Sequence, residues 1–155
     1  MAGSERIRTS QGHVVVDAER TLVRTVSLRK GPAKDAGSGA LAADLRRYFA
    51  GERVDFSRYT VDWSQYTPFE RAVLEATRDI PYGETRTYGE IADAIGKPGS
   101  ARAVGQALGK NRTCIVVPCH RVVAVNGLGG FTGGLRWKQD LLAMESTGRP
   151  AERRL

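Results

Sequence analysis

Cysteine is scarce in this chain, with Cys114 and Cys119 the only two in 155 residues. Read as an extended strand over 114–117, the apolar run between them holds their Cα atoms about 16 Å apart, beyond disulfide reach. That reading excludes a disulfide framework and predicts a reducing, cytoplasmic setting. No stretch is apolar and long enough to cross a bilayer, and no apolar segment of signal-peptide length opens the chain, so no membrane partner is expected. Internal repeats are absent. The glycine-rich stretch 127–134 has no lysine after its glycines and lacks the spacing of a dinucleotide fingerprint, which excludes those phosphate-binding loops. It reads as a lid or as a turn.

Positive charge is abundant. Lys and Arg number 24 against 17 Asp and Glu, a formal net charge of +7. Such an excess favours a polyanionic partner, nucleic acid first, or else marks a basic, solvated surface. Residues 1–10 are polar and read as loose. Strands are predicted over 13–16 and 22–28, with a polar turn between them. A Gly/Pro/Ser stretch at 30–39 follows, and then a helix with Leu41, Leu45, Tyr48 and Phe49 on one face, stopped by Gly51. The polar run 55–66 marks a boundary. The chain thus divides into a small α/β domain at 1–60, a second domain at 61–148, and a basic tail at 149–155 expected to be disordered.

The second domain is better specified. Thr67-Pro68-Phe69-Glu70 combines an N-cap, a proline at the first helical position and a capping-box glutamate. Thr87 to Glu90 repeats the capping box ahead of Tyr88, Ile91, Ala92 and Ile95. Gly96, Pro98 and Gly99 break that helix, and Ser100 caps the next, over 101–109. Two short helices joined by a glycine-containing turn form a helix-turn-helix pattern. Apolar runs at 114–117 and 122–125 flank Pro118-Cys119-His120-Arg121, and a last helix is predicted over 135–146.

Cys119 follows an apolar run and precedes a histidine. A neighbouring histidine can lower a thiol pKa and create a nucleophile. The same cysteine also reads as a buried structural residue, and in extended chain His120 points away from it. The helix over 101–109 is crowded with small residues and carries Arg102 near its start. It is trimmed either for close approach to a DNA minor groove, which is only about 6 Å wide, or for tight packing on another helix.

Val117-Pro118-Cys119-His120-Arg121-Val122-Val123 resembles the acceptor-site signature of the O6-alkylguanine-DNA alkyltransferases. The likeness extends from Thr67 through Glu145, through Ile80-Pro81-Tyr82-Gly83-Glu84-Thr85, Tyr88, Ala101-Arg102-Ala103-Val104-Gly105, Asn111 and Gly133-Gly134. Residues 1–60 match only loosely, around Tyr48-Phe49 and Gly51. The resemblance implies an α/β fold with a small RNase H-like N-terminal domain and a winged-helix-like C-terminal domain. It implies direct-reversal DNA repair by single-turnover, irreversible transfer of an alkyl group from O6-alkylguanine, with O4-alkylthymine as a further substrate, onto Cys119. His120 would take the thiol proton through a water, and Glu145 would orient His120. Tyr88 would donate to guanine N3, Asn111 would hold the turn before the acceptor, and Val122, Phe131 and Thr132 would bind the base. Arg102 would replace the flipped base. Ala101, Ala103 and Gly105 would let the helix enter the minor groove of double-stranded DNA, with Thr85, Thr87 and Ser100 on phosphates.

The resemblance further implies a monomer that needs no metal or organic cofactor. A zinc site found in some relatives is not expected, since only His13 and no cysteine stands before Cys114. Cys114 is expected as pocket wall, and alkylation of Cys119 is expected to destabilise the fold. Two rivals remain: an alkyltransferase-like protein that binds the lesion without transfer, and a winged-helix transcription regulator. An acceptor cysteine speaks against the first. A helix of Ala and Gly, poor in base-reading side chains, speaks against the second.

Overall fold

The computed structural model describes residues 4–131 and 133–150. Strands β1 (Glu5–Arg8), β2 (His13–Glu19) and β3 (Leu22–Arg29) form an antiparallel meander, and β4 (Thr60–Val61) joins β3 in parallel. Alternation in β2 sends Val14 and Val16 inward, and β3 contributes Val23 and Val26. Helix α1 (Ala40–Phe49) packs on β1 and buries Leu41, Ala42, Leu45 and Tyr48.

The second half is helical. Helix α2 (Pro68–Arg78) begins at the Thr67 capping box, and α3 (Tyr88–Ala94) begins at the Thr87 capping box, each with both reciprocal bonds made. Helix α4 (Ala101–Leu108) packs on both, completing the helix-turn-helix. Ser100 stands at its N-cap position but makes no side-chain cap bond. Strands β5 (Arg86–Thr87) and β6 (Val122–Val123) pair in parallel. They tie the start of α3 to the segment that follows Cys119. Helix α5 (Leu135–Thr147) ends at Gly148, whose φ of 66° supplies the left-handed stop. The architecture is the expected α/β one, a small sheet layer beside a winged-helix-like helical part. No helix among the described residues is long and apolar enough to cross a membrane.

Several expectations are corrected. Residues 1–10 are not all loose, because Glu5–Arg8 pairs with β2 around a single buried apolar residue, Ile7. That strand is too polar to read from composition. The polar run 55–66 contains β4 and the buried side chains of Phe56, Tyr59 and Val61, so the sheet runs past residue 60 and one hydrophobic core joins both halves. The run 114–117 is not a strand. Ile115 and Val116 form a turn, with Val116 N donating to Cys114 O at 2.9 Å and Val117 N to Thr113 O at 2.9 Å. Ile115 takes a φ of 73°. The run is apolar because it is buried, and apolarity alone does not distinguish a strand from a packed turn. Thr132 and residues 151–155 of the predicted tail lie outside the described residues.

Candidate active site

Cys119 opens a single 3-10 turn, Cys119–Arg121, directly after Pro118. The chain reaches it through the turn at 115–116, which folds Cys114 back beside it. The edge of the sheet anchors this segment, with Val26 N donating to Arg112 O at 2.8 Å and Cys114 N donating to Val26 O at 3.2 Å. Asn111 joins the two ends of the turn. Its Nδ2 donates to Val117 O and to Cys119 Sγ, each at 3.1 Å, while its Oδ1 accepts from the amide and hydroxyl of Thr113.

Cys119 therefore lies among donors. The Cys114 thiol bonds to its sulfur, Asn111 adds a second donor, and the Lys138 ammonium adds positive charge nearby; together they outweigh burial and lower the Cys119 pKa. The Cys114 thiol is pushed well up by the same bond and by burial. Cys114, expected as pocket wall, thus also bonds to the Cys119 sulfur.

His120 is fully buried and its Nε2 lies 2.7 Å from Glu145 Oε2. Burial lowers its pKa, and Glu145 offsets this only in part. Burial alone would raise the Glu145 carboxyl, but bonds and charges from His120 and Arg121 hold it well below the usual range. An ionised carboxylate only accepts, so His120 Nε2 carries the hydrogen and neutral His120 presents a lone pair at Nδ1. That Nδ1 is buried and has no partner among the described residues. Arg121 grips Glu145 with Nε to Oε1 at 2.8 Å and Nη2 to Oε2 at 2.9 Å, and donates from Nη1 to Ile80 O. Gly83 N donates to Oε1 at 3.1 Å. The turn at 80–83 is therefore tied to the His120–Glu145–Arg121 cluster.

A cavity of about 430 Å³ opens above Cys119, lined by Tyr88, Arg102, Gly105, Gln106, Gly130 and Phe131 among others. Tyr88 is the first residue of α3 and accepts from Gly130 N at 3.2 Å. A Cβ on Gly129 would sit 2.3 Å from the Tyr88 hydroxyl, and Gly129 has a φ of 72°, so this position of the lid excludes side chains. Val122 O accepts from Lys138 Nζ at 2.6 Å, and Gly130 O accepts from the same ammonium at 2.9 Å. Lys138 is wholly buried, and desolvation lowers its pKa to about 8 although Cys119 opposes this. Arg102 and Gln106 are exposed on α4, while Ala101, Ala103 and Gly105 are half-buried. Thr85 is exposed, and Thr87 and Ser100 are half-buried beside the starts of α3 and α4.

The predicted residues fall into two hydrogen-bonded groups that adjoin along the chain at 119–120, Asn111 with Cys119 and His120 with Glu145, and Tyr88, Phe131, Val122 and Arg102 surround or border them. Reasoning from sequence missed Tyr48, Arg121 and Lys138. Lys138 left a signal, since it falls on the Trp137, Leu141, Met144 and Glu145 face of α5, where an unpaired lysine is unexpected. Tyr48 left none, because an apolar face accepts a phenol ring without regard to its hydroxyl.

Residues 68–147 match the family model described as 6-O-methylguanine DNA methyltransferase, DNA binding domain. A Methylated-DNA–protein-cysteine methyltransferase of Mycobacterium tuberculosis is 49% identical over 122 residues, 78% of this chain and 72% of the relative. A protein of Acanthamoeba polyphaga mimivirus, named Probable methylated-DNA–protein-cysteine methyltransferase, is 40% identical over 147 residues, 91% of this chain and 95% of its own length. The crystal structure of Mycobacterium tuberculosis OGT in complex with DNA is similar at a TM-score of 0.83 and 37% identity, covering 96% of this chain and 95% of that one.

Proposed function

The chain belongs to the methylated-DNA–protein-cysteine methyltransferases, which repair DNA by direct transfer of an alkyl group, and we propose that in this member Cys119 is the acceptor. The observation that carries this reading is the environment of its sulfur. Donors from Cys114 and Asn111 favour the thiolate, beneath a cavity of about 430 Å³ that falls within the range of small-molecule pockets.

The proton leaves Cys119 through one water to His120 Nδ1, the buried lone pair left by the Nε2–Glu145 bond. Glu145 stabilises the imidazolium that forms. The thiolate attacks the alkyl carbon in line, an S–C bond forms, and the C–O6 bond breaks with its electron pair passing to guanine. Tyr88 donates to guanine N3 as that charge develops. The net change moves the alkyl group to sulfur and one proton to guanine. Nothing then restores the thiol, so each molecule acts once. Val122 O has a second lone pair beside the Lys138 bond and accepts from the exocyclic amine. Phe131 packs on the base, and Thr132 is assigned to O6.

DNA binding puts the target inside a duplex, and the base must flip out to reach Cys119. The exposed Arg102 at the rim of the cavity supports its role as the residue that fills the gap. Ala101, Ala103 and Gly105 let α4 approach the minor groove, with phosphates held by Thr85, Thr87 and Ser100. In this reading the protein acts as a monomer in a reducing cytoplasm, its N-terminal sheet and α1 supporting the helical part that carries the site.

Mass spectrometry of the intact protein after incubation with duplex DNA containing O6-methylguanine tests the proposal. A gain of one methyl, located on Cys119 and absent in Cys119→Ala, is expected. Lesion binding with no gain in mass would instead favour an alkyltransferase-like binding role.

A further inference from the structure

We infer that Tyr48, a residue of the N-terminal half, is a positioning residue of the acceptor relay that sets the basicity of His120 by sharing Glu145 Oε2 with it. The inference rests on the reading of Cys119, His120 and Glu145 as that relay.

Tyr48 lies in the last turn of α1 and is wholly buried. Its hydroxyl donates to Glu145 Oε2 at 2.6 Å and lies 3.5 Å from His120 Nε2. It has one hydrogen, and Glu145 is the ionised acceptor, so the hydrogen goes to the carboxylate. Burial and the Glu145 charge push the phenol pKa well up, so it stays a donor throughout the working range. The ring is fixed by edge-to-face contacts with Phe49, Phe56 and Tyr82. Oε2 thus receives hydrogen bonds from Tyr48, His120 and Arg121 Nη2, and Oε1 receives them from Arg121 Nε and Gly83.

Each donor on Oε2 draws off charge that would otherwise stabilise an imidazolium. The charged and titratable groups around the pair are Arg121 on the same 3-10 turn, Lys138 on α5, Cys119, and Tyr82 with Arg53 over its ring. Arg121 also ties Glu145 to the 80–83 turn, so its loss would disturb several contacts together. Tyr48 is the donor on Oε2 that can be removed at nearly constant volume. Without it, Oε2 keeps more charge, the imidazolium gains stability, and the His120 pKa rises toward its ordinary value. The proton is then held more tightly by His120, and the acid flank of the pH profile for transfer moves to higher pH.

The chain has two histidines, and NMR follows the titration of His120. Tyr48→Phe is expected to raise the His120 pKa by about half a unit or more and to move the acid flank of the methyl-transfer profile up by the same amount. Phe56→Leu, which loosens the packing of the same ring but keeps the hydroxyl, is expected to lower the melting temperature without moving either flank. A fluorinated tyrosine at position 48, a stronger donor, is expected to move His120 the opposite way and keeps the test open should Tyr48→Phe not fold. An unmoved His120 in Tyr48→Phe, or a shift in the same direction with the stronger donor, would overturn the inference. Wild-type protein that titrates as described but gains no methyl would instead overturn the acceptor reading.

Discussion

At Cys119 two uncharged donors and one nearby cation combine to lower a buried thiol pKa. Of these, Cys114 contributes most, because its thiol bonds directly to the Cys119 sulfur, and Asn111 comes next. Cys114→Ala removes that donor and leaves the rest of the site in place. The thiol pKa of Cys119 is therefore expected to rise, and methyl transfer near neutral pH to slow by about three- to tenfold, since removing a donor to an ionised group costs about 1 kcal/mol or more. Single-turnover rates measured across pH check this. The deficit should shrink as pH rises and thiolate becomes available by itself, and a deficit constant with pH would place the role of Cys114 in packing alone. The pair was not legible in sequence. Periodicity gave 114–117 an extended form, which separated sulfurs that the turn at Ile115 and Val116 brings together. The physical reason is general to short apolar runs, in which burial from all sides imitates a strand.

Elements position what residues then tune. The loop at 127–131 is held against α3 by the Tyr88 hydroxyl, which accepts from Gly130 N, and by Lys138, which bonds to Gly130 O and Val122 O together. The lid passes so close to Tyr88 that only glycine fits at 129. Gly129→Ala places a methyl 2.3 Å from that hydroxyl and strains a backbone φ of 72°, so either Tyr88 or the lid must move. Transfer from O6-methylguanine in duplex DNA is expected to fall by at least tenfold, because both base-contacting groups are displaced together. Labelling of Cys119 by a small thiol reagent should be retained or quickened by the opened lid. That contrast separates a misplaced lid from a damaged thiol. Capping boxes at Thr67 and Thr87 and the small residues of α4 were all legible, because each is a local device with its own residue types. Strand β1 was not legible, since its pairing is dictated by β2 and only Ile7 turns inward.

At the scale of the whole molecule, Cys119 lies where the two halves share a core. The 112–114 segment hydrogen-bonds to Val26 of β3, and Tyr48 of α1 bonds to Glu145 of α5. Chemistry at Cys119 therefore acts on contacts that hold the halves together. Overpacking is the expected cost of an added alkyl group, but the 430 Å³ cavity above the sulfur leaves room for a methyl once guanine departs. A thioether, however, is a weak acceptor that cannot ionise. The Asn111 and Cys114 donors, both buried, lose the charge they served, and each unsatisfied buried donor costs about 1–3 kcal/mol. A chain of this size loses about 2–4 °C of melting temperature for each kcal/mol. Methylated protein is thus expected to melt at least about 4 °C below the unmodified form, as calorimetry before and after reaction with O6-methylguanine DNA would record. Cys119→Ser, which keeps a hydrogen-bond acceptor, should lose less than the methylated form. Equal melting temperatures before and after transfer would mean that the donors around Cys119 find other partners, and that the halves are not coupled through the acceptor.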